Sequence, residues 1–515
     1  MKRFICTAVV IMLLLIPVFV FAGGSQEAPE VEAEASAPAV PEPTTLKFAL
    51  PGNPDSLDPH MTSGTLTFQV CKSVYDTLVE PEKSSGKIVP ALAESWSISD
   101  DNLSWTFKLK SGVKFHNGDL LSSADVKASF DRVRSEEAGS VHFKEFEVIE
   151  SIDTPDDLTV VFNLSSPHAP FLGSIGSGWS AILPKSLIDS GHDFDSDPVG
   201  TGPFVFKEWV RDNKVILAKN ESYWMSGLPK VDNVEMYIIP ETSVQVQSLI
   251  AGQVDIVFIV DTDSIPMIEA NPDVHIEENL TALILVMAMN CEDPILSNIK
   301  VRQAINYAID KQKILDIAYG GGHIINTFTD KGNAYYNDVE YYTYNPEKAK
   351  SLLKEAGVGP DDEFELFLPQ NYALHVTAGE MYQEMLSDVG LNVKIQLVDW
   401  STWISDVYRG RKFDFTVIGH TGKLDPDGTL RGYGEGKYVG WHDERTAELL
   451  KEAAVTIGYE NRKPLYDEAL DIMAKEVPFV YLGSSYRQTG IRNNVEGFVI
   501  TPKLDTFDFR WTVVK

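Results

Sequence analysis

The sequence predicts an α/β fold with a partly parallel sheet and with ligand-binding loops at the strand ends. Strand and helix patterns alternate through the second half of the chain, which is the order that builds parallel sheets. The chain has 515 residues, of which 43% are hydrophobic, enough for a globular protein of about two to four domains. HExxH, paired CxxC and GxSxG motifs are missing, so no catalytic site, metal or cofactor is expected.

The N-terminal segment is expected to direct secretion. A short basic start and the apolar run Phe4–Ala22 are typical of a cleavable signal peptide over residues 1–22. An uncleaved anchor helix is the alternative, because the run approaches the ~20 residues that span a bilayer. Gly23 stands where a lipoprotein would need cysteine, so lipidation is not expected. Residues 23–45, rich in Pro, Ala and Glu, are predicted to form a disordered acidic tether.

Charge and cysteine content exclude several classes of protein. The formal charge is −31, and −28 remains without the signal and tether, which counts against nucleic acid or anionic membrane as partner. Three cysteines are too few for a disulfide scaffold or a zinc site. The spacing of Cys71 and Cys291 is compatible with a disulfide and equally with two separate buried thiols.

Local patterns predict the elements of the first half. Leu46–Leu50 is predicted to be a strand that ends at Pro51-Gly52. In Trp105–Phe115 apolar and polar residues alternate on both sides of a Ser-Gly turn, which is typical of a hairpin. A helix is predicted after Ser123, with Val126, Phe130 and Val133 on one face, and Leu158–Leu164 is predicted to be a strand.

The second half contains stronger helix signals and the alternating order. Lys300–Tyr319 has the spacing of one amphipathic helix, and Asn345-Pro346 starts another that stops at Gly357. The elements predicted next are the strand Phe364–Leu368, the helix Val376–Val389, the strand Val393–Val398, the helix Thr402–Tyr408 and the strand Phe413–Ile418. The loops Asp399–Trp403 and Gly419–Asp427 follow such strand ends and are the candidate site loops.

An ordered set of motifs resembles a known family. In chain order the motifs are PALAESW at Pro90–Trp96, the stretch from Trp105 to Val133, DPVGTGPF at Asp197–Phe204, GQVDI at Gly252–Ile256, NIKVRQAINYAID at Asn298–Asp310, NPEKAKSLLKEAG at Asn345–Gly357 and EVPFVY at Glu476–Tyr481. From Leu46 to Lys515 the chain is similar to extracytoplasmic solute-binding proteins of ABC importers, and within them to the oligopeptide/dipeptide-binding branch, family 5.

The resemblance implies a periplasmic binding protein-like fold (class II, cluster C) with two lobes, an inserted domain and a hinge-flanked ligand cleft. Domain I would take residues 46–79, 194–280 and 488–515, domain II the insertion 80–193, and domain III the second lobe 281–487. Gly200-Thr201-Gly202-Pro203 would be a crossing between domains, where glycine permits unusual φ values.

The implied function is capture of a peptide or peptide-like solute and its delivery to a membrane permease by a monomeric extracytoplasmic protein. An oligosaccharide or another polar solute is the alternative ligand. An extracytoplasmic enzyme or folding factor that uses the same surface is a second alternative.

The resemblance also indicates the candidate ligand-binding residues. They are Trp400, Trp403, His420, Thr421, Asp425, Asn371, Tyr372, Thr62 and Ser63. Two departures from the family pattern count against a free dipeptide. His420 replaces an aromatic residue, and Lys423 stands near the position of an acid that holds the peptide ammonium. Asp425 is the candidate substitute for this acid, and the alternative is that it only caps the turn before Pro426. Asn371 and Tyr372 stand where dipeptide binders have an arginine for the carboxylate.

Overall fold

The computed structural model describes residues 43–82, 86–501 and 506–515, so that the predicted signal peptide and most of the predicted tether lie outside it. The strands are Thr45–Leu50, Val79–Pro81, Ile88–Pro90, Ala93–Ile98, Ser104–Leu109, Ile149–Asp156, Thr159–Leu164, Phe204–Val210, Lys214–Lys219, Asn233–Ile238, Ile256–Val257, Val274–Leu280, Leu283–Met289, Gly322–Ile324, Glu363–Pro369, Asn392–Val398, Phe415–Thr421, Glu435–Gly436, Trp441–His442, Phe479–Arg492, Val495–Glu496, Val499–Thr501, Thr506–Asp508 and Val513–Val514.

The α-helices are Thr65–Val74, Ser123–Val133, Phe171–Ile175, Lys185–Ser190, Thr242–Ile250, Ile265–Glu269, Ile299–Ala308, Lys311–Tyr319, Pro346–Ala356, Ala373–Asp388, Trp400–Thr402, Asp427–Leu430, Glu444–Val455 and Tyr459–Glu476. The short 3-10 helices are Phe143–Phe146, Gly178–Ser180 and Thr262–Ser264, and Trp403–Arg409 is a π-helix.

A sheet of twelve strands runs through the described part of the chain, and one long strand, Phe479–Arg492, joins its two halves. The first part of this strand pairs antiparallel with Leu283–Met289, and the last part pairs with Val274–Leu280 and Ile256–Val257. The successive strands Val274–Leu280 and Leu283–Met289 make the same passage in the opposite direction. The two lobes are therefore connected by two adjacent crossing segments.

The predicted α/β class and parallel pairing are confirmed. Glu363–Pro369 pairs in parallel with Asn392–Val398 on one side and with Phe415–Thr421 on the other. The carboxyl ends of these strands lead into the loops that the sequence indicates as candidate site loops. The strand Thr45–Leu50 and the helices Ser123–Val133 and Pro346–Ala356 also agree with the predicted elements.

Buried side chains form separate cores in the two lobes and on a smaller sheet. In the second lobe one core contains Leu285, Ile305 and Leu366 and another contains Phe328, Trp441 and Phe479. The first lobe has cores on both sheet faces. The four-stranded sheet that includes Ser104–Leu109 has a core of its own. This division into cores is what a multidomain α/β protein needs, because one core does not grow beyond ~250–300 residues.

Two predicted elements are wrong. Trp105–Phe115 does not form a hairpin, because the strand Ser104–Leu109 pairs with Ala93–Ile98 and Thr159–Leu164 instead. Lys300–Tyr319 is not one helix but two, Ile299–Ala308 and Lys311–Tyr319. Asp310 caps the second helix by accepting a hydrogen bond from the Lys313 amide, which ends the first helix before it.

Gly200 and Gly202 are needed for close approach and not for unusual φ values, since neither has a positive φ. A Cβ on Gly200 would lie 2.3 Å from the Val74 carbonyl oxygen, and one on Gly202 would lie 2.4 Å from the Val74 carbonyl carbon. Two backbone segments are thus in direct contact at these glycines. Cys71 and Cys291 are free and belong to different cores, so they do not form the disulfide that the spacing left open.

Across the described ranges no helix is both long and apolar enough to cross a membrane.

Candidate functional site

A cavity of about 610 Å³ opens between the first lobe with its adjoining small sheet and the loop after strand Phe415–Thr421. The helix Thr65–Val74 and the segment Gly176–Ala181 contribute one wall, and Thr421 and Lys423 contribute the other. A second cavity of about 210 Å³ adjoins it and shares Glu145, Trp179 and Lys423 with it. We call the two together the cleft. Its position at the carboxyl end of a sheet strand is where α/β proteins bind ligands.

Stacked rings form the apolar wall of the cleft. The rings of His142 and Trp179 stack with centroids 4.6 Å apart at 13°, and Phe68 meets Trp179 edge-on at 6.0 Å. Gly178 makes this contact possible, because a Cβ there would lie 2.8 Å from the Phe68 ring. His142 Nε2 donates a hydrogen bond to the Thr62 carbonyl oxygen at 2.7 Å, and burial lowers the pKa of the imidazole. The hydrogen bond fixes the ring at the cavity wall, and the lowered pKa favours its neutral form.

Four charged side chains of the cavity wall neutralise one another. Arg510 lies 3.0 Å from Glu80 and 2.7 Å from Asp508, and Lys72 lies 2.9 Å from Glu80. Burial raises the pKa of Glu80, but the positive charges of Lys72 and Arg510 outweigh this effect and lower it to about 2. This network joins the C-terminal segment to the helix Thr65–Val74, and its two positive and two negative charges sum to zero.

Glu145 and Lys423 are different, because they line both cavities and both are exposed. Glu145 is on the helix Phe143–Phe146, and Lys423 is on the loop after Phe415–Thr421. Within the described part of the chain, no ion pair or side-chain hydrogen bond joins either group to a partner. Their charges have opposite effects on the pKa of His142, which Glu145 raises and Lys423 lowers, so both act on the ring wall.

The predicted loop residues Ser63 and Thr421 line the larger cavity, and both are exposed. Thr62 is buried, with its hydroxyl donating to Asp55 at 2.5 Å, so it shapes the loop through its own hydrogen bonds. Asp425 lines the smaller cavity, but its carboxylate accepts two hydrogen bonds from Arg462 at 2.7 and 2.9 Å. This acid is thus already paired with a buried guanidinium.

The predicted aromatic residues lie together, outside the walls of the two cavities. Trp400 is 39% exposed and stacks on Trp403 with centroids 4.9 Å apart at 3°, while Tyr372 meets Trp400 edge-on at 5.3 Å. Trp403 is 2% exposed and donates its indole N–H to the Thr416 hydroxyl at 2.9 Å. Trp403 therefore supports Trp400 from the core, and only Trp400 and Tyr372 present faces to solvent.

The two remaining predicted residues differ in environment. Asn371 is exposed on the turn before the helix Ala373–Asp388. His420 hydrogen-bonds the Tyr438 hydroxyl at 2.9 Å, and burial lowers its pKa to about 3, so the ring is neutral.

Sequence reasoning missed Phe68, His142, Glu145 and Trp179, since they come from separate segments and no motif marks them. Lys423 was noticed only as a departure from a pattern.

The comparisons agree with this architecture. Residues 87–440 match the model of the bacterial extracellular solute-binding proteins, family 5. The chain is 30% identical over 514 residues to the di/tripeptide-binding protein 1 of Pseudomonas aeruginosa, covering 92% of this chain and 95% of that protein. It is 31% identical over 467 residues to the heme-binding protein A of Haemophilus influenzae, covering 84% of this chain and 85% of that one.

Among solved structures, the chain is similar to the periplasmic binding protein DppA of Helicobacter pylori in complex with the peptide STSA. The TM-score is 0.71 at 26% identity, with 91% of this chain and 98% of that chain covered. The cleft between two lobes, the two crossing segments and the match over residues 87–440 lead to one conclusion. The chain belongs to the bacterial extracellular solute-binding proteins of family 5.

Proposed function

We propose that this chain is the solute-binding subunit of an ABC importer and that it captures a peptide or peptide-like solute in the cleft. The observation that carries the proposal is a cavity of about 610 Å³ between the lobes, lined by rings and by both signs of charge. Peptides match such a wall, because they have charged ends, amides and side chains of mixed polarity. The similarity to a di/tripeptide-binding protein supports the same ligand class.

The proposed mechanism is closure by population shift. A ligand that contacts both lobes has more contacts in the closed state and therefore stabilises it by its differential affinity. The two crossing segments, at Leu280–Leu283 and Gly483–Tyr486, are the proposed hinge because two neighbouring strands pass there from one half of the twelve-stranded sheet to the other. The closed form would then deliver its ligand to a permease.

The proposal also covers the domain boundaries, the secretion and the oligomeric state of the protein. Domain I would comprise residues 46–79, 194–280 and 488–515, domain II residues 80–193 and domain III residues 281–487. The chain would be secreted through a cleaved signal peptide, without lipidation, and would act as a monomer that binds without catalysing a reaction.

A thermal-shift screen of the secreted form, starting at Gly23, tests the ligand class. A ligand of the native state stabilises it by RT ln(1 + [L]/Kd), about 2.7 kcal/mol at a hundred times Kd. We expect di-, tri- and tetrapeptides to raise the melting temperature, and free amino acids to serve as the control. No rise with any peptide would contradict the proposal.

An oligosaccharide is the second candidate ligand, because Trp400 and Tyr372 expose aromatic faces that suit sugar rings. The same screen with an oligosaccharide panel and with haemin separates these ligands from peptides. A rise confined to sugars would favour this candidate, and turnover of any stabilising ligand would favour an enzyme.

A further inference from the structure

The small sheet, which is the four-stranded sheet that contains Ser104–Leu109, is held firmly to the first lobe. Arg132, on the helix that packs against this sheet, donates two hydrogen bonds to the carboxylate of Asp58, and both side chains are largely buried. His116 Nε2 donates to the Gly202 carbonyl oxygen at 3.0 Å. Buried, charge-assisted hydrogen bonds are costly to break. We therefore expect the small sheet to move together with the first lobe.

The chain beside the small sheet also contacts the second lobe, through a bond that can break and form again. The Ala169 amide donates a hydrogen bond to the Ala454 carbonyl oxygen at 2.8 Å. Ala454 lies in the last turn of the helix Glu444–Val455, where carbonyl groups have no partner within the helix. When the two parts separate, water can replace the bond at a small net cost in free energy. Such a bond suits a contact that opens and closes.

Apolar packing and a close approach extend this contact. Ile457 lies between two helices of the second lobe and packs against the core of the small sheet. A Cβ on Gly173 would lie 3.2 Å from the Asp425 Cβ and 3.7 Å from the Leu424 Cβ, so only a very small residue lets the two parts meet there. We call the residues that make these contacts the latch, namely Ala169, Gly173, Leu424, Ala454 and Ile457.

The latch lies apart from the larger cavity. No latch residue is among the described side chains that line this cavity, whereas Gly173 and Leu424 line the smaller one. The latch contacts join protein atoms to protein atoms, so their free energy favours closure whether or not a ligand lies in the larger cavity. A ligand then adds its own differential affinity to a closed state that the protein already populates.

We propose that the latch closes the cleft in the absence of ligand, so that open and closed molecules coexist before a solute binds. This inference rests on the proposed closure and goes beyond it, because closure begins from contacts of the protein itself. The same contacts remain when a ligand is bound. The latch therefore also slows the release of a ligand that it does not touch.

Cross-linking without ligand tests the latch directly. The substitutions Gly173→Cys and Leu424→Cys, combined in one chain, place two Cβ atoms 3.7 Å apart, which is within the ~3.5–4.5 Å that a disulfide requires. The chain starting at Gly23 is treated with oxidised glutathione, and the loss of free thiols is followed over time. The two single variants are the controls, since they contain the natural Cys71 and Cys291 but cannot form the new bridge.

The rate of cross-linking reports how much of the protein is closed. Ile457→Asn, added to the double variant, removes apolar packing from the latch without altering the pair of cysteines. Val455→Asn is the matched control, because Val455 is 47% exposed. We expect the double variant to form the disulfide, and we expect Ile457→Asn to slow its formation about threefold or more. Val455→Asn should leave the rate unchanged.

Absence of the disulfide in a double variant that is folded by circular dichroism would overturn the inference, as would equal rates with Ile457→Asn and Val455→Asn. If the pair of cysteines itself prevents folding, small-angle X-ray scattering replaces the cross-link. Without ligand, Ile457→Asn alone should then have a larger radius of gyration than Val455→Asn alone. Equal radii would overturn the inference.

A bound peptide separates this inference from the proposed function. Trialanine, or the panel peptide that raises the melting temperature most, is added before the double variant is oxidised. The oxidised protein should keep the peptide through gel filtration, whereas the reduced protein should lose it. Equal loss from both forms would show that the latch does not close the cleft. If no peptide binds, the proposed ligand class fails, while the cross-linking rates still decide whether the latch exists.

Discussion

Asp425 shows at the residue scale how a candidate ligand anchor can instead stabilise the fold. Its carboxylate is bound by both terminal nitrogens of Arg462, whose side chain is 5% exposed. Breaking such a pair from one side leaves a buried guanidinium without its counter-charge. The cleft therefore depends on Asp425 for the shape of its loop.

Asp425→Asn is expected to lower the free energy of unfolding by about 3 kcal/mol, as measured by urea denaturation. Asp361→Asn is the matched control at an exposed position without an ion pair in the described part of the chain, and it should change the value by less than about 0.5 kcal/mol. The peptide-induced melting shift should persist in both variants. If Asp425→Asn stays folded but loses that shift, the carboxylate binds the ligand directly.

His60 is expected to make the stability of the protein depend on pH. Its ring is fully buried, and Nε2 donates to the Ala181 carbonyl oxygen at 2.9 Å, while Nδ1 has no partner within the described ranges. Burial, and next the charge of Arg132, lower the pKa to about 4. A proton on Nδ1 would be a buried charge without an acceptor, so the folded state disfavours it.

Because the folded pKa is below the ordinary value of 6.5, the unfolded chain binds more protons between these two values. The contribution of His60 is thus complete above about pH 6.5 and is lost as the pH falls toward 4, up to about 3 kcal/mol in total. We expect His60→Gln to flatten this part of the stability curve by up to about 1.4 kcal/mol per pH unit, as measured by denaturation at several pH values. An unchanged slope would show that His60 does not titrate in this range.

At the scale of elements, the position of the segment Gly200–Pro203 depends on contact between backbones. The Gly202 amide donates to the Val74 carbonyl oxygen at 2.9 Å, and the Gly202 carbonyl accepts from Asn220 and His116 at 2.9 and 3.0 Å. Hydrogen bonds on both sides hold the segment against the end of the helix Thr65–Val74. A side chain has no room there.

Gly202→Ala is expected to destabilise the protein by about 3 kcal/mol, because the clashing atoms belong to backbone that cannot rotate away. Gly359→Ala is the matched control, since a Cβ there meets nothing within 4 Å and its φ is not positive. Urea denaturation of both variants is the measurement. If Gly202→Ala and Gly359→Ala were equally stable, the backbone around Gly202 would have to move apart at little cost in free energy.

The helices show which elements local sequence can specify. Pro346–Ala356 was predicted to the residue, because Asn345 caps it and Gly357 ends it in the left-handed region with a φ of 74°. The break at Ile309–Asp310 was not predicted, because Val301, Ile305 and Leu315 all pack into one core despite the break. Hydrophobic spacing reports the buried face, and it does not report whether the helix is continuous.

At the scale of the whole molecule, the proposed closure depends on the two crossing segments. Thr281 donates from its amide and from its hydroxyl to the Ser485 carbonyl oxygen at 3.1 and 3.0 Å, so hydrogen bonds join the two segments. Small changes in their backbone angles would move one lobe relative to the other. The cleft lies between the parts that would move.

We expect the binding peptide to reduce the radius of gyration measured by small-angle X-ray scattering, because a bridging ligand favours the closed state. Free amino acids, used at the same concentration, are the control. A peptide that raises the melting temperature without any change in the scattering curve would contradict closure.

The sequence by itself determined the α/β class, the parallel strand order, the family and the loops at the strand ends. These features depend on local periodicity, on helix caps and on the order of motifs, all of which can be read along the chain without knowledge of its tertiary contacts. The sequence also indicated Ser63, Thr421 and Asp425, which line the cleft, but only the tertiary structure decided which other side chains line it. One cavity wall contains side chains from segments far apart in the chain, namely Phe68, His142, Glu145 and Lys423. The same tertiary packing pairs Asp425 with Arg462 and buries Trp403 beneath Trp400.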